Sequence, residues 1–124
     1  MLFRSSEGRL ESVARSLVTF LDQFDLVLTP ALARRPLKIG EVHGRGPDPW
    51  GNYQRSGHFS PYTAICNVTG LPAIALPLYH GDDGLPLAVQ LIGRPLGEGT
   101  LLSLATQLEG ARLWAQHLSP LASG

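Results

Sequence analysis

A chain of 124 residues is long enough for one domain with a modest core and too short for two, so a single domain over 1–124 is expected. With 44% hydrophobic and 16% charged residues it is not a charge-driven disordered chain, and ten basic against ten acidic side chains exclude a general attraction to phosphate backbones. A single cysteine, Cys66, excludes an internal disulfide and makes the cytoplasm the default compartment.

Met1 to Arg4 lead straight into polar residues, and no apolar run approaches the roughly 20 residues that span a bilayer. Neither nucleic acid nor a membrane is therefore expected as a partner. Leu10, Val13, Ala14, Leu17, Val18 and Leu21 recur at helical spacing, which predicts an amphipathic helix over about 6–23 with Ser5 or Ser6 as its cap. Asp25 to Thr29 is a short apolar run stopped by Pro30, as in a buried strand.

From Ala31 to Ser60 breakers recur at Pro36, Gly40, Gly44, Gly46, Pro47, Pro49, Gly51 and Gly57, so 31–60 is expected to be one long loop. Loops longer than about 15 residues are uncommon in compact domains and usually have a functional reason. The aromatic side chains Trp50, Tyr53, Phe59 and Tyr62 suggest that this one lies against another surface. The basic cluster Arg34, Arg35 and Lys38 reads as a solvated loop edge.

Pro61 to Val68 predicts a short helix, with Gly70 ending it in the left-handed conformation. Ala73 to Leu78 reads as a strand whose Pro77 must lie at an edge or a bulge. His80 to Gly84 is a turn by composition, and Leu87, Val89 and Leu91 alternate with Ala88, Gln90 and Ile92 in a second strand apolar on both faces. The two strands form a hairpin in a larger sheet. Leu101, Leu104, Ala105, Leu108 and Ala111 then predict a helix from Glu98 to about Trp114, and the tail from His117 onward is expected to fray.

Two segments stand out together: Asn67-Val68-Thr69-Gly70-Leu71-Pro72-Ala73, and Gly84-Leu85-Pro86-Leu87-Ala88-Val89-Gln90-Leu91-Ile92-Gly93. With the helix that follows, they resemble the C-terminal part of amidase-signature hydrolases, and the resemblance covers most of the chain from Asp25 onward. Within that family the segment Pro61 to Gly70, Pro-x-Thr-x-x-x-Asn-x-Thr-Gly, is similar to the tails of enzymes typified by the 6-aminohexanoate cyclic-dimer hydrolases. The resemblance implies an α/β fold, a partial mixed β-sheet with flanking helices. It also implies that the 31–60 loop runs near a substrate cleft.

Enzymes of that family use a Ser nucleophile, a second Ser in a cis peptide and a Lys, and backbone N–H groups stabilise the tetrahedral intermediate. This sequence has one lysine, Lys38, in the Pro/Gly-rich loop, and its only adjacent serines, Ser5 and Ser6, lack the glycine frame. No catalytic residue is carried over, since that machinery is expected upstream of such a segment. Cys66 sits in the apolar stretch Ala64-Ile65-Cys66 and reads as a packing residue. The scattered histidines His43, His58, His80 and His117 support no metal site, and Asp82-Asp83 is a turn rather than a calcium loop.

Asn67 and Gln90, amides in apolar surroundings, are expected to pin neighbouring backbone. Trp50 and Tyr53 are the candidate substrate-binding residues, by their place in the loop. No cofactor is expected. Two readings follow: a C-terminal segment of an amidase, inactive alone and completed by an N-terminal half that acts on a small-molecule amide, or a stand-alone binding or homo-oligomerising module derived from such a tail.

Overall fold

β3, Pro86–Gly93, is the element around which the chain is built, because both of its faces are apolar and both are covered. The computed structural model describes residues 2–116, so the expected fraying from His117 onward lies outside the described residues. In chain order α1 is Leu2–Leu21, β1 is Leu26–Pro30, α2 is Pro49–Gly57, α3 is Thr63–Thr69 and β2 is Ala73–His80. After β3 come α4, Glu98–Ala111, and a single 3-10 turn, Trp114–Gln116.

The strands form one sheet in the order β1-β3-β2, antiparallel throughout, with Leu28 opposite Leu91 and Ile74 opposite Leu91 on the other side. The α/β class is as expected. Alternation along β3 then divides the core in two. Leu91, 1% exposed, joins Leu76, Leu101 and Ala105 under α4, while Ile92 joins Leu21 and Leu71 under α1 and α3. The result is three layers, α4 on one face of the sheet and α1 with α3 on the other.

Gly93 marks how closely α4 approaches, since a Cβ there would lie 3.2 Å from the Leu101 side chain. β2 carries one extra residue between Leu76, opposite Val89, and Tyr79, opposite Leu87. Pro77 occupies that bulge on an edge strand, where no ladder donor is required, as expected. Gly70 takes φ +70° at the end of α3 and donates to the Cys66 carbonyl at 2.8 Å, also as expected.

Four local expectations are corrected. α1 begins at Leu2, so Ser5 and Ser6 lie inside the helix and not at its cap; serine costs a helix interior only a few tenths of a kcal/mol, roughly, against alanine. The 31–60 loop contains α2, capped by the Asp48 carboxylate, which accepts from the Gly51 N–H at 2.8 Å, with Pro49 in the first turn. α4 stops at Ala111: Arg112 turns extended and sits over the Tyr79 ring at 5.3 Å, and Trp114 folds back onto the Leu76–Leu91 cluster. Finally, only the C-terminal half of the α1 stripe is covered: Leu17, Val18 and Leu21 pack on the sheet and α3, whereas Leu10 and Val13 are exposed.

Candidate functional site

The segment between β1 and α3 carries the residues singled out for substrate binding, and α2 is what positions them. Trp50 and Tyr53, three residues apart on this helix, stack on one another with ring centroids 5.5 Å apart and planes 24° apart. Both are open to solvent, at 67% and 68% exposure, whereas Phe59 and Tyr62 are half-buried. Within the described residues Trp50 and Tyr53 therefore meet no covering surface, and each shields only part of the other.

Tyr53 lines a recess of about 250 Å³ with Val42, His43, Pro49, Asn52 and Ser56. Trp50 flanks it through the stacked pair and is not part of its wall. Asn52 is buried and its amide oxygen accepts from Arg55, while the Ser56 hydroxyl donates to the Tyr53 carbonyl at 2.7 Å. Sequence reasoning missed Asn52, whose only signal is its place one turn after the Asp48 cap. An aromatic pair beside an amide and an imidazole suits binding, and the recess itself holds no nucleophile paired with a base.

The three groups weighed against a serine hydrolase triad fall on separate segments of the chain. Ser5 and Ser6 belong to α1, and Lys38 is an exposed loop residue. Cys66 is half-buried against Leu21, Leu71 and Ile92, and burial pushes its thiol up, so the sulfur is held neutral as a packing group. Gln90 is buried and donates to Thr29 Oγ1 at 3.3 Å and to the Tyr62 carbonyl at 3.4 Å, which is the pinning role expected of it. Asn67, by contrast, is exposed on α3 and makes no such contribution to the core.

Arg35, placed by the sequence at a solvated edge, instead pairs with Asp83 in the β2–β3 turn and ties the loop to the hairpin. Among the described residues no three of His, Cys, Asp and Glu come together as a metal site, and no helix is long and apolar enough to cross a membrane.

Residues 1–102 match the Amidase family model. Over 129 residues, 97% of this chain, the sequence is 40% identical to the putative amidase AmiB2 of Mycobacterium tuberculosis, covering 25% of that protein. The fold is similar to the structure of 6-aminohexanoate cyclic dimer hydrolase, with a TM-score of 0.74 and 32% identity over 85% of this chain and 23% of that one. It is also similar to a component chain of the glutamyl-tRNA(Gln) amidotransferase of Thermotoga maritima, with a TM-score of 0.62 and 32% identity over 78% of this chain and 20% of that one. The chain belongs to the amidase family. It spans about a quarter of the length of AmiB2.

Proposed function

We propose that this chain is the C-terminal part of a hydrolase of carbon–nitrogen amide bonds, and that it is inactive without a catalytic half. The observation that carries the reading is the 40% identity to an amidase over 97% of the chain, in a sequence whose single lysine is exposed. In the completed enzyme the seryl nucleophile attacks the amide carbonyl, the lysine and bridging serine move its proton to the leaving nitrogen, and water then releases the acid. This chain contributes sheet strands, the covering helix α4 and one wall of the pocket. Trp50 and Tyr53 present aromatic faces to a small-molecule amide there; their exposure in the isolated chain supports a surface that meets something else. The neutral, unpaired Cys66 thiol favours a reducing compartment such as the cytoplasm.

The test is complementation. The purified chain is expected to leave simple amides intact, and co-production with the N-terminal part of an amidase such as AmiB2 is expected to give an active pair. In that pair Trp50→Ala and Tyr53→Ala are expected to raise KM more than they lower kcat, as for a binding contribution. Amide hydrolysis by the chain alone that survives replacement of every serine sinks the proposal.

A second reading, a homo-oligomerising module, is favoured by one observation: Leu10, Val13 and Phe20 of α1 are exposed, and Leu28 is exposed on an edge strand at the opposite face of the sheet. It predicts a cooperative melt whose midpoint rises with protein concentration.

A further inference from the structure

Between β1 and α2 the chain folds around a second cavity, of about 300 Å³, whose lining is chemically divided. Leu37, Val42 and Phe59 supply apolar surface, and Arg34, Arg55 and His58 supply cationic or polar groups, with Glu41 beside them. Its walls are tied to one another by backbone hydrogen bonds. The Ala33 N–H donates to the Phe59 carbonyl at 2.9 Å, which fixes the Arg34 wall against the His58 wall. The third wall is a turn in which the Glu41 N–H donates to the Lys38 carbonyl at 3.1 Å and the Lys38 N–H donates back to the Glu41 carboxylate at 3.2 Å. Gly40, at φ +87°, makes that turn possible.

The charges around the cavity are unbalanced. Glu41 is the one acidic residue in its lining, and its carboxylate is engaged with its own turn. Among the described residues the ion pairs are Glu11 with Arg15, Arg35 with Asp83, and Arg94 with Asp25, so neither Arg34 nor Arg55 is ion-paired with a carboxylate, Glu41 included. Arg55 is also held in place, because one of its terminal nitrogens donates to the buried Asn52. An oriented guanidinium next to an apolar wall is the arrangement that recognises a planar anion joined to a hydrocarbon, since its fork of donors matches the two carboxylate oxygens. The volume is at the small end of ligand pockets, about 300 Å³.

We propose that this cavity binds an aliphatic carboxylate, with Arg34 and Arg55 on the carboxylate and Leu37, Val42 and Phe59 on the chain. The assignment stands apart from the hydrolase reading, because it requires no catalytic half. The test is a titration of the isotopically labelled 124-residue chain, read by amide resonances, with hexanoate, hexanamide and inorganic phosphate. Hexanoate is expected to shift residues 33–42 and 55–59 saturably and to leave β3 unmoved, with hexanamide and phosphate at least tenfold weaker. Arg34→Gln, at an exposed position, and Arg55→Gln, which also removes the donor to Asn52, are each expected to weaken hexanoate about tenfold, as loss of a charge-assisted pair does.

Equal binding of hexanamide removes the carboxylate from the assignment, and equal binding of phosphate removes the aliphatic chain; either overturns it. Native-like binding by both arginine variants, or a dispersed spectrum without saturable shifts, also overturns it. So does a spectrum without amide dispersion, because the cavity requires the loop folded on the sheet. Hexanoate binding by a chain that fails complementation would leave this assignment standing while the hydrolase reading falls.

Discussion

The side-chain amide of Gln90 lies in the most enclosed stretch of the chain and reaches two other segments, Thr29 on β1 and Tyr62 ahead of α3. Both bonds are long, at 3.3 and 3.4 Å, so Gln90→Leu is expected to cost near the low end of roughly 1–3 kcal/mol in a urea melt. Leu91, its neighbour in the Leu76–Leu101 cluster, is the larger contributor: Leu91→Ala is expected to cost about 2–5 kcal/mol, enough to unfold a marginal domain. Leu96 works in the opposite direction. It holds φ +60° while almost fully exposed, so Leu96→Asn is expected to stabilise the chain by about 1 kcal/mol, because asparagine tolerates the left-handed region. Cys66 adds a check that needs no substitution. Since burial raises its thiol, alkylation by iodoacetamide is expected to be much slower than in the urea-unfolded chain, and stability is expected to fall as alkaline pH draws the proton from the unfolded state first.

Elements differ in how far their neighbours define them. α4 and β3 were legible in the sequence because each has a clean period and each is packed along it, from Leu101 to Leu108 and from Val89 to Ile92. α2 was not, because its glycines and Pro49 read as breakers; the informative pair was Asp48-Pro49, a cap followed by a first-turn proline. Asp48→Ala is accordingly expected to cost about 1 kcal/mol and to loosen the recess beside Tyr53. The Arg35–Asp83 pair was illegible for another reason: nothing local in either segment indicates that the loop and the hairpin turn meet. The hydrogen bond from Arg35, then that from the Leu85 N–H, holds the Asp83 carboxyl below the usual carboxylate range. Its stabilising contribution is therefore present above the unfolded carboxyl value and lost as pH falls through the lower folded one. The gap in Tm between native protein and Asp83→Asn is expected to be small, as for an exposed pair, and to close in acid. Of the candidate site, the place of Trp50 and Tyr53 in the chain was readable, but their stacking depends on a helix that was not.

At the scale of the molecule, the two outer strands of the sheet pair with no further strand among the described residues, and α1 leaves half of its apolar stripe uncovered. Both features follow if the quarter-length match to the family is a part packed against a larger body, and both are hazards if it is not. The strand order has a temporal meaning as well. β3 is the central strand, yet it is the last of the three in chain order, so the partner that β1 finds within this sequence is made only after roughly sixty further residues. A nascent chain stopped anywhere before Pro86 has two strands and no ladder between them. Until β3 arrives, the apolar segments of β1 and β2 have no ladder between them to cover them, and exposed strands of that kind are prone to aggregate.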